Sequence, residues 1–115
     1  MEFEYENDSV KELFSDFQLM KKKTDGTFTK LVKKRCDQLR AFDTFADFFA
    51  SKLGKPHRLS GDKSDCYAVN ITRNKRLIIK PVSDNLSPDS LKKCRKIVIV
   101  GVEDYHGSKT KSYIP

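Results

Sequence analysis

Histidine occurs only twice in these 115 residues, as His57 and His106, and both stand near groups suited to a phosphodiester. His106 closes the run Asp104-Tyr105-His106, and Arg76 lies between the two histidines along the chain. Cleavage of RNA by its own ribose needs a base to remove the 2′-hydroxyl proton and an acid to protonate the leaving 5′-oxygen. Imidazole suits either task because its pKa lies near ~6.5. A guanidinium fork matches phosphate geometry and stabilises charge that develops in the transition state. This chemistry requires no metal, and no cofactor is expected. Each residue also has an ordinary reading: a loop histidine, a strand arginine paired with a carboxylate, and polar residues at a strand exit.

Other enzyme signatures are missing. Among the five glycines there is no Gly-x-x-x-x-Gly-Lys loop and no Gly-x-Gly-x-x-Gly fingerprint, and neither His-Glu-x-x-His nor Gly-x-Ser-x-Gly occurs. Cys36, Cys66 and Cys94 form no Cys-x-x-Cys pair, so they are expected as reduced thiols rather than a zinc or disulfide framework. With 23 Lys+Arg against 16 Asp+Glu, the net charge of +7 favours a polyanionic partner, nucleic acid first. The longest apolar run, Ile97–Val100, is far too short for a bilayer span, so no membrane role is expected. The start Met-Glu-Phe-Glu-Tyr-Glu is acidic and alternating, unlike a signal peptide, which leads us to expect a cytoplasmic protein.

The elements that must position the candidate residues can be read from hydrophobic period. Phe3 and Tyr5 alternate with glutamates as a short strand. Ser9 and Glu12 have the spacing of a capping box ahead of a helix carrying Val10, Leu13, Phe14, Phe17 and Met20. Lys21–Lys23 follow, then a turn at Asp25-Gly26. A second helix has Phe28, Leu31, Val32, Cys36 and Leu39 on one face, with Lys30, Lys33, Lys34 and Arg40 on the other. Thr44 and Asp47 cap a third helix burying Phe45, Phe48, Phe49 and Leu53, which Gly54-Lys55-Pro56 ends. Tyr67, Val69 and Ile71 then alternate with polar or small residues, and Arg73-Asn74-Lys75 turns into a returning strand, Arg76–Val82. Ser83–Lys96 is a polar excursion with a short helix opening at Ser87-Pro88-Asp89; Ile97–Val102 is a central strand. The expected fold is α+β: an antiparallel-dominated sheet of about four strands with N-terminal helices on one face. Residues 1–106 make one domain, and 107–115 a flexible basic tail.

His57-Arg58-Leu59-Ser60-Gly61-Asp62-Lys63, the strands Cys66–Ile71 and Arg76–Ile79, and the ending Asp104-Tyr105-His106 resemble, in order and spacing, the RelE/ParE toxin superfamily. The HigB branch is the most similar, over residues 55–106. The resemblance implies a RelE-like fold and the toxin of a type II toxin–antitoxin system, a ribosome-dependent mRNA endoribonuclease. It implies His57 as base or phosphate ligand, Arg76 as transition-state cation, Asp104 as orienting group or base, Tyr105 as a stacking platform and His106 as general acid. RNA contacts would come from Lys55, Arg58, Lys63, Asn70, Arg73, Lys80, Lys109 and Lys111, and ribosome contacts from Lys30, Lys33, Lys34 and Arg40. The implied partners are mRNA, ribosomal RNA and a HigA-like antitoxin with a helix-turn-helix domain, operator DNA being reached only through the antitoxin. Two other functions fit the same fold: a ParE-like gyrase poison acting by binding, and a non-catalytic RNA-binding module.

Overall fold

The computed structural model describes residues 1–106 and 109–114, with the backbone alone for His106 and Lys109. Strand β1 (Glu2–Tyr5) leads into helices α1 (Asp8–Ser15), α2 (Phe17–Lys23), α3 (Gly26–Ala41) and α4 (Phe45–Ser51). Strands β2 (His57–Arg58), β3 (Tyr67–Asn70) and β4 (Lys75–Pro81) follow, then helix α5 (Pro88–Leu91) and strands β5 (Lys96–His106) and β6 (Lys109–Ile114).

Side-chain capping sets the helix boundaries. Asn7, not Ser9, caps α1 by accepting from the Val10 N–H at 2.9 Å, so the expected capping box is not used. The single helix expected through Met20 is two, because Asp16 turns its carboxylate onto the Gln18 and Leu19 N–H groups, each at 3.1 Å. A short acidic side chain offers the backbone this local alternative to a continuous helix. Asp25, expected in a turn, caps α3 by accepting from Phe28 N–H at 2.7 Å. Thr44 caps α4 as expected, accepting from Asp47 N–H. The chain leaves α4 through Lys52 (φ 61°), Gly54 (φ 71°) and Lys55 (φ 48°). Glycine is required at 54, since a Cβ there would sit 2.5 Å from Val69 Cγ1.

The sheet order is β1-β5-β4-β3-β2, with β6 also on β5, so six strands stand where about four were expected. β5 is central: β4 runs antiparallel along one side, while β1 (parallel) and β6 (antiparallel) share the other. All helices cover one face, where Phe14, Met20, Phe28, Val32, Phe45 and Phe48 pack against Tyr67, Leu77, Ile79, Ile97 and Ile99. Phe49 and Leu31, expected inside, are 42% and 37% exposed. The segment expected as a loose tail pairs instead with β5 as β6 and buries Ile114 in the core.

The opposite face of the sheet is partly closed. Cys66, Ala68 and Ile78 are buried there under Leu59 and Val100. Leu59 begins the β2–β3 loop, whose Leu59 N–H and Cys66 C=O bond at 2.9 Å. A bulge on β5 leaves Val100 between the pairs Gly101–Ile78 and Ile99–Ile79. Beyond this apolar island the uncovered face carries the candidate site.

Candidate functional site

Strand register decides which candidates share a surface. Asn70 pairs with Arg76, and Arg76 with Glu103, so one cross-strand row spans β3, β4 and β5. Strand side chains alternate, so Glu103 and Tyr105 join Arg76 on the face away from the helices while Asp104 turns toward them. The Arg76 guanidinium lies over the Tyr105 ring, 5.4 Å from its centroid. Its Nη1 donates to the carbonyls of Thr72 at 3.0 Å and Arg73 at 2.9 Å. The Tyr105 N–H donates to the Asn74 carbonyl at 2.7 Å. The β3–β4 turn, Arg76 and the end of β5 are thus tied into one corner, with the guanidinium held in a fixed place.

A depression of about 480 Å³ opens beside this corner, lined by Leu59, Ser60, Lys63, Glu103, Tyr105, Thr110 and Ser112. Lys63, on the β2–β3 loop, reaches across β3 and β4 to form an ion pair with Glu103 on β5. The Glu103 side chain is only 12% exposed and that of Lys63 49%. A larger depression, about 680 Å³, lies at the far end of β5, lined by Arg40, Val82 and Lys96 among others. Of its cations, Arg40 lies 4.2 Å over Phe3, Lys96 pairs with Glu2 and Glu4, and Arg95 also lines it. The smaller one adjoins the Arg76–Tyr105 corner, and we place the site there.

The structure separates the other candidates. Asp104, expected with the phosphodiester group, has its carboxylate 3.9 Å from Lys75 Nζ, and Lys75 lies over the Tyr113 ring. Tyr113 in turn meets Phe28 of α3 edge-on, which fixes this cluster on the helix-covered side. Burial first, then Asp25 and Asp104, push the Tyr113 hydroxyl pKa up. His57 is exposed on edge strand β2, paired with Ala68, its Nδ1 3.3 Å from the Lys55 carbonyl. Strand β3 stands between His57 and Arg76, and the register sets them two strands across and two residues along, so their backbones are about 12 Å apart. The side chains of His106 and Lys109 lie outside the described residues.

The proposed RNA contacts divide. Asn70, Lys63 and Arg73 border the corner. Arg58 donates to the Ser64 carbonyl at 2.7 Å and braces the loop. Lys80 sits lower on the face, 3.8 Å from Glu6. Lys55 is exposed in the loop after α4, and Lys111 is exposed opposite Asp104. Lys30, Lys33 and Lys34 are exposed on α3, behind the sheet relative to the site. Among the described residues, no three of His, Cys, Asp and Glu gather as a metal site, and no helix is long and apolar enough to cross a membrane.

Sequence reasoning missed Glu103 as a site residue, along with Ser60, Thr110 and Ser112. One signal was present for Glu103, since alternation from Tyr105 places it on the site face; its pairing with Arg76 comes from the strand register.

Neither a protein-family model nor a curated protein matches the sequence. Solved structures do match the fold. A YoeB/ParE toxin from Agrobacterium tumefaciens superposes with a TM-score of 0.55 at 18% identity, covering 92% of this chain and 99% of that one. A YoeB–YefM complex from Staphylococcus aureus gives 0.55 at 16% identity, over 92% and 97%. The α+β fold described above is the one these toxin structures share.

Proposed function

We propose that this chain is the toxin of a type II toxin–antitoxin system, a HigB-like endoribonuclease that cleaves mRNA on the ribosome. The observation that carries the reading is the Arg76–Tyr105 corner, a fixed guanidinium beside an aromatic ring on the uncovered sheet face of a toxin-like fold. Arg76 would neutralise the phosphorane-like charge, and Tyr105 would hold a base by stacking. His57, on the other side of β3 from Arg76, would remove the 2′-hydroxyl proton. By the resemblance, the proton for the leaving oxygen would come from His106, the last residue of β5, whose side chain lies outside the described residues. Asp104 takes no part in this scheme, because its carboxylate is paired with Lys75 of β4.

A domain with this little surface gains most of its rate when another body positions the substrate, and the ribosome supplies that. The net charge of +7 suits contact with ribosomal RNA. An antitoxin of HigA type, binding the toxin directly and carrying the operator-binding domain, completes the system; a partner of that general kind accompanies the YoeB of the matched complex.

Induction of the wild-type chain should arrest growth and produce new mRNA 5′ ends inside translated frames. Arg76→Ala and His106→Ala should remove both. Arrest by all three proteins without such ends would sink the ribonuclease reading and favour gyrase; unimpaired growth with the wild type would leave a non-toxic RNA-binding module.

A further inference from the structure

We propose that the depression beside Tyr105 is a guanine pocket, in which Glu103 and Lys63 read the Watson–Crick edge of a base stacked on Tyr105. The inference rests on the ribonuclease reading for its biological use, but its chemistry stands on the pocket alone. Tyr105 lines the depression, whereas Arg76 lies over the same ring without lining it, so the ring stands between the phosphate-binding corner and the pocket. A base seated against Tyr105 therefore joins a backbone that can reach Arg76. Leu59 supplies an apolar wall, and at about 480 Å³ the space is of ligand size.

The polar lining decides which base. Glu103 is acceptor-only and offers two oxygens; Lys63 is donor-only and sits against it. The carboxylate has lone pairs to spare beyond the ion pair, and the ammonium has further N–H groups, so a ligand can join both without breaking the pair. Guanine presents two adjacent donors, N1–H and N2–H, to a carboxylate, with its O6 acceptor beside them for an ammonium. Adenine and cytosine each offer one exocyclic amine next to a ring acceptor, and uracil a single N–H between two acceptors. Only guanine meets both carboxylate oxygens and the ammonium together, and a two-point contact of this kind discriminates strongly. Ser60, Thr110 and Ser112 hydroxyls complete the rim.

Gln in place of Glu103 keeps the shape but pairs one acceptor with one donor, the pattern adenine matches. Lys63 lies half-exposed on a loop, so its truncation spares the fold. The test is chemical-shift titration of the full chain with the four nucleoside 3′-monophosphates, alongside 5′-end mapping on ribosomes. We expect guanosine 3′-monophosphate to bind about tenfold or more tightly than the others, the scale of one good two-point base contact. Glu103→Gln should cancel that preference and shift it toward adenosine, and Lys63→Ala should weaken it, with circular dichroism confirming folded variants. Equal affinities for all four nucleotides, or a preference unchanged in both variants, would overturn the pocket. Selective guanosine binding without mRNA cleavage would leave the pocket standing and remove the ribonuclease; cleavage with no guanine beside the cut and no guanosine selectivity would do the reverse.

Discussion

Arg76 has a structural role and, in the proposed reaction, a chemical one. Its Nη1 closes the β3–β4 turn by bonding two carbonyls, which leaves the fork with little freedom before substrate arrives. Preorganised charge of this sort commonly contributes about 10²–10³-fold to rate. Arg76→Ala is expected to lower cleavage by that order in a ribosome-based assay. Arg76→Lys, which keeps the charge and loses the fork, should recover only a small part. The thiols behave oppositely. Burial raises the Cys36 pKa to about 12, and burial with the Asp65 charge raises that of Cys66 to about 11. Both folded values exceed the free-thiol value, so these groups are neutral in both states below about pH 9 and subtract nothing there. Above it the unfolded thiols ionise first, and stability falls progressively toward pH 11–12. Denaturant midpoints measured from pH 7 to 11 should decline in the upper range, less so for Cys36→Ser and Cys66→Ala compared each with its own neutral-pH midpoint; a flat profile would contradict the burial.

At the scale of elements, hydrophobic period exposed most of the architecture. The strands around Val69, Leu77 and Ile99, the α3 face and the Thr44 cap all follow from it, as does proline in the first turn of α5. The misses have two causes, local capping and competition decided by contacts far along the chain. Asp16 splits a helix whose apolar period runs straight through it. Phe49 is exposed because Phe45 and Phe48 already fill the space against Tyr67 and Phe42. The 109–114 segment reads as polar, yet it becomes a strand because β1 covers only residues 96–99 of that side of β5, leaving the upper half to be paired. In the site, type and order marked Arg76 and Tyr105, while the parity of Asp104 and the reach of Lys63 to Glu103 needed the register and the loop. If β6 is structural in this way, Ile114→Ala should cost about 2–5 kcal/mol, the range for emptying a buried aliphatic site. Gly54→Ala should cost roughly 1–3 kcal/mol, since it imposes a Cβ at positive φ against Val69. Urea unfolding measures both.

Across the whole molecule, the sheet separates the two surfaces proposed to contact nucleic acid. The Arg76–Tyr105 corner and its pocket lie on the uncovered face, while Lys30, Lys33 and Lys34 project from α3 on the other side of a body measuring 40 × 30 × 25 Å. A single RNA strand in the site does not also lie along α3 without passing around the sheet. The arrangement instead suits a wedge, with one face on the message and the back against ribosomal RNA. The two surfaces then differ in what they contribute. On the proposed reading, phosphate contacts of the α3 lysines would supply salt-dependent affinity without sequence content, whereas the corner would supply positioning and chemistry. Lys30→Glu/Lys33→Glu/Lys34→Glu is therefore expected to weaken ribosome association strongly at low salt and to flatten its salt dependence by about three phosphate contacts' worth of slope. Binding of a mononucleotide to the uncovered face should be unchanged in the same protein, because no α3 residue lines that depression. Co-sedimentation with ribosomes over a salt series, set beside nucleotide titration, reads the two effects separately. Equal loss of both would mean that α3 and the site bind one continuous ligand, and the wedge arrangement would have to be abandoned.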